Sequence, residues 1–534
     1  MSADHRDYAA DARRDGIAAE TELKFAAGPA DLRRLAKHPL FAAAPKVARV
    51  TSVYYDTPDF DLHTAKVSLR VRRAGGRYVQ TVKQIRSGDV FDRDEWETPV
   101  RRPAVDLNLL ADTPAAALAA KAGAPLAPVF RTRFTRQTRM VVHQGAAIEI
   151  AVDKGRVLAG ATSMPLAELE MELKSGEASA LYDLARELFA LAPIRLSLTS
   201  KSERGYRLLS QGVASKASKI GLNADMTVGE AFSAIAHACL VQVVEAADAY
   251  RQAAGPEPIH KLRVGLRRLR TAIRIFDDAI VDPRAAFIDA EARWLAGEVA
   301  PARSLDVFIA ESFEPNGKGL SDPDAAARYG VRLHAARKAA HARAAAALGT
   351  PRFSALALET ALWIEDGDWR HPKTAARIKA LDGGIGPYSA LLLERLRHGV
   401  LKRAKGLEKL DPEARHKLRI RAKRLRYAAE FFCLLYDEDD GPKRQRRFIA
   451  ALKPLQAALG RLNDIAMAPE AAMTPLGKRP APRLVFIAGE LVGRLQQPAA
   501  RQLTAAVAAA KDLKDAKRFW SKPKDDEPQR HAPD

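Results

Sequence analysis

Glu20-Thr21-Glu22-Leu23-Lys24-Phe25 and Glu168-Leu169-Glu170-Met171-Glu172-Leu173-Lys174 decide how the first half of this 534-residue chain folds. In both, charged side chains recur at every second position. Glu20, Glu22 and Lys24 stand opposite Leu23 and Phe25, and Glu168, Glu170 and Glu172 stand opposite Leu169, Met171 and Leu173. A two-residue period is that of a β-strand, in which alternate side chains project from the same face. The alternation returns in 67–72, which carries Arg70 and Arg72, and in 78–83, which ends on Lys83. It returns again in 93–97 (Arg93, Glu95, Glu97), in 129–134 (Arg131, Arg133) and in 147–153 (Glu149, Asp153). Gly75-Gly76 and Ser87-Gly88 punctuate some of these runs, as turns do. Helical stretches near 30–38 and 177–191 make this half α+β.

A common sandwich or barrel turns its apolar face inward and its charges to solvent. That reading weakens when six or seven strands all carry clustered charges of both signs. The alternative is a barrel with a charged lumen, its outside covered by helices or a partner. So many buried charges are tolerable only if they meet each other, water, or a multiply charged ligand. The basic set is Lys24, Arg70, Arg72, Lys83, Arg131, Arg133 and Lys201, and arginine forks match phosphate oxygens two at a time. The acidic set is Glu20, Glu22, Glu170 and Glu172, with Glu149 and Asp153 similar in kind; carboxylate oxygens suit Mg²⁺ or Mn²⁺. Together they are the parts of a metal-assisted phosphoryl-transfer site. No serine, cysteine or histidine nucleophile stands out, and His63 and His143 read as surface or packing residues.

Composition points the same way. Lys+Arg total 86 against 65 Asp+Glu, a net charge of +21, which calls for a polyanionic partner. Two cysteines exclude a disulfide framework and a cysteine-built zinc site. Aromatic residues, at 6%, are few for a protein that stacks many bases, so no nucleic-acid partner is expected. With no apolar run of about 18 residues, no membrane partner is expected. The charged N-terminus lacks a signal-peptide core, so a cytoplasmic address is expected.

From about 222 the period changes to that of amphipathic helices, and the sequence repeats itself. His260 to Phe276 reads HKLRVGLRRLRTAIRIF and His416 to Phe432 reads HKLRIRAKRLRYAAEFF, with nine of 17 positions identical at an offset of 156. On a helix His260, Arg263, Arg267, Arg270 and Arg274 line one stripe, with Leu262, Leu266, Leu269, Ile273 and Phe276 opposite. The copy places His416, Arg419, Lys423 and Arg426 likewise, and Glu430 stands where the first has Arg274. Like charges at i, i+4 repel. A single-signed stripe that occurs twice is best explained by a polyanion, and a metal role for the histidines is not expected, since neither has a second ligand at i+3 or i+4.

Ordered motifs in the first half resemble the CYTH, or triphosphate tunnel metalloenzyme, superfamily. They are the E-x-E-x-K of 20–24, Tyr54-Tyr55-Asp56-Thr57-Pro58, Leu69-Arg70-Val71-Arg72, Thr81-Val82-Lys83, Arg93-Asp94-Glu95-Trp96-Glu97, 129–134 and 168–173. The second half resembles the CHAD family through its repeated H-x-x-R-x-x-x-[RK]-x-x-R, Arg303-Ser304-Leu305-Asp306-Val307 and Leu459-Gly460-Arg461-Leu462-Asn463-Asp464. The first resemblance implies an eight-stranded antiparallel tunnel. In it Lys24, Arg70, Arg72, Lys83, Arg131, Arg133 and Lys201 would bind triphosphate, and Glu20, Glu22, Glu170 and Glu172 would hold metal. Lys24, Glu170 and Glu172 would be catalytic, while the 93–97 strand would serve either ion pairing or catalysis. The second resemblance implies duplicated four-helix bundles that bind inorganic polyphosphate through the two basic stripes.

The expected organisation is a flexible N-terminus (1–17), a tunnel domain (18–210) and a linker (211–221). A helical domain of two repeats (222–380 and 381–512) and a charged tail (513–534) follow. The expected activity is Mg²⁺- or Mn²⁺-dependent hydrolysis of tripolyphosphate, with inorganic polyphosphate as partner and an association with polyphosphate granules. The alternatives are a thiamine triphosphatase, a class IV adenylyl cyclase, and a non-catalytic polyphosphate scaffold.

Overall fold

A computed structural model of the chain describes residues 21–85, 93–209, 220–436 and 441–520. Glu20 lies outside the described residues. The chain forms two compact units. One holds the residues up to 209 together with Gly349–Asp366, and the other holds 220–348 and 367–520.

The first unit is built on an antiparallel sheet. Its strands are β1 (Glu22–Ala26), β2 (Lys46–Asp56), β3 (Val67–Ala74), β4 (Arg77–Ile85), β5 (Arg93–Val100), β6 (Ala127–His143), β7 (Ala146–Ala159), β8 (Thr162–Ser175) and β9 (Arg195–Leu196). Their order is β5-β4-β3-β2-β6-β7-β8-β1-β9. Eight of them make the expected sheet, and the two-residue β9 is an addition beside β1. Gly75 and Gly76, with φ of 55° and 84°, supply the left-handed turn between β3 and β4 that matches the twist of a hairpin.

The inward face is the charged one. Leu23, Phe25, Ile148, Ile150, Leu169 and Met171 are at most 1% exposed, and they lie on the outer side of their strands. The helix Ala178–Leu191 covers that side with Leu181, Leu184 and Leu188, and Phe189 meets Phe25 edge-on at 5.4 Å. Each fully buried side chain of this size contributes roughly 1.5–3 kcal/mol, so covering the apolar face from outside fixes the charges inside. Helix Pro351–Asp366, which periodicity assigns to the helical half, packs in this unit: Arg186 donates two hydrogen bonds to Glu359, at 2.6 and 2.9 Å, and Ser354 donates to the Ile194 carbonyl at 3.2 Å.

One polar knot closes the end of β2. Asp56 is fully buried and accepts hydrogen bonds from the backbone N–H groups of Thr57, Leu62 and His63, at 2.8–3.0 Å, and from the Tyr206 hydroxyl at 2.6 Å. Tyr206 sits on the helix Lys201–Leu209, whose Gly205 lies so close to Phe130 that a Cβ would come within 2.1 Å of its ring. The knot holds that helix, and with it Lys201, against the sheet.

The second unit is helical. Val228–Gln252 starts with a capping box between Thr227 and Glu230 and buries Phe232, Ile235 and Cys239 completely. It is long and apolar enough to cross a membrane by length and composition, but 67% of that window is buried in the unit. The two histidine helices are Pro256–Ile275 and Pro412–Phe431, each with a proline at its first position, where the missing N–H costs no helical bond. Their apolar stripes form core: Leu262, Leu266, Leu269, Leu418, Ala422 and Leu425 are at most 1% exposed.

Replacing Asp56 by alanine removes the acceptor for two buried N–H groups, a partly buried one and a hydroxyl. At about 1–3 kcal/mol for each buried donor left unsatisfied, Asp56→Ala should cost about 3 kcal/mol or more. By calorimetry, the melting temperature of the sheet unit should fall by roughly 6–12 °C.

Candidate functional site

Residues directly opposite in a ladder share a face, so the register reads out the inner wall. From β3 come Arg70 and Arg72, opposite Tyr54 and Ser52 of β2 and Thr81 and Val79 of β4. Lys83 of β4 faces Glu95 of β5, and Thr81 faces Glu97. Arg136 of β6 faces Asp153 of β7, Asp153 faces Glu168 of β8, Glu170 faces Lys24 of β1, and Glu172 faces Glu22.

At the bottom of this wall lies a closed ionic network. Carboxylate oxygens of Asp153, Glu168 and Glu170 lie within 4.8 Å of one another, and all three residues are buried. Lys201 donates a hydrogen bond to Glu170 at 2.6 Å and forms ion pairs with Asp153, at 2.8 Å, and with Glu168, in direct contact. Arg136 forks onto Asp153 at 2.7 and 2.8 Å and also contacts Glu170, and Arg204 reaches Glu168 at 3.1 Å. Three carboxylates thus meet three cations. Burial would raise the Glu170 pKa, but Lys201, Lys24 and Arg136 hold it well below the usual carboxylate range. Burial would lower Lys201, and Glu168, Glu170 and Asp153 raise it instead.

Higher on the wall the balance tips to positive. Lys83 bonds Glu95 at 2.8 Å, and Arg70 lies 3.7 Å from Glu95 and 4.0 Å from Glu97. Glu95 and Glu97 therefore act as ion-pair partners of the basic strands, while the side chain of Arg93 lies outside the described residues. Arg72 has no carboxylate within ion-pair distance among the described residues. Burial, Arg70 and Arg136 together bring its guanidinium down to about 10. Arg72 on β3 feels Arg136 and Glu170 from strands two and four places away, so the sheet curls around its charged face.

The register separates the residues expected to share one site. Lys24, Arg70, Arg72, Lys83, Glu22, Glu170, Glu172 and Lys201 come together. Arg131 and Arg133 do not: they pair with Val53, Thr51, Leu158 and Arg156, are exposed, and project from the side opposite Arg136. Phe130, Thr132 and Phe134 take the inner side of β6, and Arg136, which shares their parity, is the arginine that β6 sends inward. Sequence reading missed Arg136 and Arg204; the nearest signal for Arg136 is its same-face spacing from Phe134.

Glu22 and Glu172 sit directly opposite each other, with Lys24 2.9 Å from Glu22 and Lys174 in contact with Glu172. Side-chain exposure rises along β8 from 1% at Glu168 through 8% at Glu170 to 24% at Glu172, so this pair marks the solvent side of the wall. Opposed carboxylates repel unless a cation bridges them. These hard oxygens and the buried triad both suit a divalent cation, although Lys201 already occupies the centre of the triad.

In the helical unit the two basic stripes converge. Arg267 of the first histidine helix lies 3.4 Å from the Tyr427 hydroxyl of the second. Burial, Arg267, Arg303 and Arg419 lower Arg263 to about 10, and burial with Arg267, Arg419 and Arg426 lowers Lys423 to about 7. Arg263, Arg267 and Lys423 have no carboxylate within 4 Å among the described residues, and Arg419 has only Asp464, at 4.0 Å. The flanks are neutralised: Arg270 and Arg274 share Asp289, and Arg426 pairs with Glu430 at 3.3 Å. His416 bonds Asn463 at 2.5 Å, and burial followed by Arg303 lowers the pKa of His260, favouring its neutral form.

Sequence models of two families match the chain, the CYTH domain over residues 18–206 and the CHAD domain over 234–472. An inorganic triphosphatase from Haemophilus influenzae is 33% identical over 165 residues, which are 30% of this chain and 46% of that protein; the match thus spans about half its length. Among solved structures, the CHAD domain from the plant Ricinus communis is 29% identical, covers 55% of this chain and 96% of its own, and has a TM-score of 0.48. PptA from Streptomyces chartreusis is 20% identical, covers 54% and 99%, and has a TM-score of 0.40.

Removing Lys201 should reverse the acid response of the sheet unit. In the wild type Glu170 titrates well below its ordinary value, so its stabilisation is complete at pH 5–7 and is lost only at lower pH. In Lys201→Met the triad loses its central cation and its carboxylates favour protons. The folded state then binds more protons than the unfolded one, and stability rises as pH falls. Melting curves at pH 7 and pH 5 should show a lower melting temperature for the variant at pH 7 and a partial recovery at pH 5 that the wild type does not show.

Proposed function

We propose that the chain, a CYTH domain followed by a CHAD domain, is a divalent-metal-dependent inorganic triphosphatase whose helical unit binds inorganic polyphosphate. The tunnel domain and its triphosphatase relative support hydrolysis of a triphosphate. Arg72 carries the reading further: a half-buried guanidinium with no carboxylate within ion-pair distance among the described residues, pressed by Arg70 and Arg136, would be stabilised by an anion of several charges. A triphosphate supplies such charge without the apolar bulk of an organic group.

Arg70, Arg72 and Lys83 would grip the phosphate oxygens, with Lys24 beside the acidic pair. Arg136 and Lys201 do not bind substrate in this scheme; they hold Glu170 ionised and in place. Glu22, Glu170 and Glu172, with Glu20 from outside the described residues, would hold Mg²⁺ or Mn²⁺. When bound, that metal supplies charge neutralisation and Lewis-acid activation of water. Glu172, the most solvent-exposed of the β8 carboxylates, would orient the attacking water. One P–O bond of tripolyphosphate is broken and one formed to water, giving diphosphate and phosphate. The seam of Arg263, Arg267, Arg419 and Lys423 would take the longer polymer, at a cytoplasmic or granule location.

Phosphate release from tripolyphosphate with Mg²⁺ or Mn²⁺ tests the first part. Turnover should stop with chelator, and Arg72→Ala should lower it by about 10²–10³, the scale of one lost transition-state charge contact. Unchanged turnover in Arg72→Ala would sink the assignment. The seam has its own test. Polyphosphate raises the pKa of Lys423 from about 7 towards its ordinary value, so binding takes up a proton between pH 7 and 9. At fixed ionic strength affinity should fall as pH rises from 7 to 9, by at most about tenfold per pH unit for one proton. Lys423→Arg should flatten that dependence.

A further inference from the structure

A second cluster of arginines lies in the helical unit, where the end of the first basic stripe meets two arginines outside the second. Arg421 and Arg424 belong to the second histidine helix but fall outside its stripe of His416, Arg419, Lys423 and Arg426. With Arg274, from the last turn of the first histidine helix, and Arg395, from helix Ile385–Ala404, they line a cavity of about 280 Å³. Asp277 and Leu392 lie on the same wall.

The charges in this cleft are unequally satisfied. Arg274 is held by Asp289 at 3.3 Å, and Arg395 by Asp278 at 3.2 Å. Arg421 and Arg424, one helical turn apart, have no carboxylate within ion-pair distance among the described residues. Asp277 is the acid on the wall, and its pull on Arg424 is outweighed by burial, Arg274 and Arg421, which together lower the Arg424 pKa. Arg421 reaches across to the neighbouring helix at Gly399, where a Cβ would stand 3.2 Å from its Nη1. The missing side chain at 399 is the space the guanidinium uses.

We propose that this cleft is an anion site for a compact phosphate group, either free diphosphate or the end of a longer phosphate chain. Four guanidiniums around one cavity offer several forks, and forks match phosphate oxygens in pairs. The volume falls just below the roughly 300–1,000 Å³ of pockets for drug-sized ligands, which suits a short inorganic anion rather than a nucleotide. The proposal stands on the geometry of this cleft and is independent of the tunnel's activity.

Arginine labelling with phenylglyoxal, read by peptide mass spectrometry on the full chain, tests it at single residues. At fixed ionic strength the protein is labelled alone, with diphosphate, with long-chain polyphosphate, and with sulfate. Labelling of Arg421 and Arg424 should fall at least threefold with a phosphate ligand, while Arg479 and Arg501, which are remote from the cleft in sequence and absent from its lining, should not change. Protection by diphosphate assigns the site to the free anion, and protection by the polymer alone assigns it to a chain end. No protection by either, or equal protection by sulfate, overturns the proposal. As a second measurement, Arg421→Ala with Arg424→Ala should abolish a diphosphate-binding component that survives in Arg263→Ala with Arg419→Ala. Tripolyphosphate hydrolysis should be unchanged in the cleft variant. Retention of that component in the cleft variant would also overturn the site.

Discussion

The contact of Lys201 with Asp153, Glu168 and Glu170 is the interaction on which the sheet unit depends. Three carboxylates on neighbouring strands, buried on the same face, repel one another strongly in a low-dielectric interior. Lys201 meets all three, and Arg136 and Arg204 complete the neutralisation. Lys201 comes from the helix Lys201–Leu209, which follows the sheet in sequence. That helix is held by the Tyr206–Asp56 hydrogen bond and by the close approach of Gly205 to Phe130. A polar knot at the end of β2 thus indirectly secures the ionisation of a carboxylate on β8.

The network also divides labour along the wall. Near Glu168 the charges balance and solvent is excluded, so the carboxylates there are structural anchors. Towards Glu172 exposure rises, the opposed Glu22 and Glu172 remain close, and Arg72 lacks a carboxylate partner among the described residues. The proposed binding of a metal and a triphosphate would draw on such a gradient: rigid where the wall is anchored, unsatisfied where ligands would enter. A wall neutralised along its whole length would gain little from binding an anion.

Much of this was legible in the alternation of β1, β3 and β8. A two-residue period shows which residues share a face, and covering the apolar face with the Ala178–Leu191 helix is what a charged lumen requires. Period alone does not say which face points inward. In β6 the segment Phe130-Arg131-Thr132-Arg133-Phe134 is ambiguous, because aromatic and basic residues both suit a ligand wall. The register with β7, which sets Arg136 opposite Asp153, decides it and turns Arg131 and Arg133 outward. That pairing spans 17 residues of sequence and depends on Lys201 arriving from elsewhere, so no local pattern contains it. The same holds for helix Pro351–Asp366: its period announces a helix, but its place in the sheet unit rests on the distant Arg186–Glu359 fork.

The helical unit uses charge in the opposite way. The sheet unit surrounds Lys201 and Arg136 with carboxylates, whereas the two histidine helices set Arg263, Arg267, Arg419 and Lys423 against one another. Asp289 lies against Arg270 and Arg274 on one flank and Glu430 against Arg426 on the other, so within the two stripes the least compensated charge is at the centre. Glu430 therefore does more than shorten a basic stripe. It pairs with Arg426 within its own helix, and Asp289 does the same for Arg270 and Arg274 from outside theirs. The two copies thus set a carboxylate against their flanks by different means, which leaves the least compensated charge of the two stripes where the helices meet. A protein that needed only a soluble basic surface would spread those charges and keep Lys423 in water. Cations set against one another in this way, with burial and their neighbours lowering Lys423 to about 7, are the charges whose repulsion a bound anion would relieve.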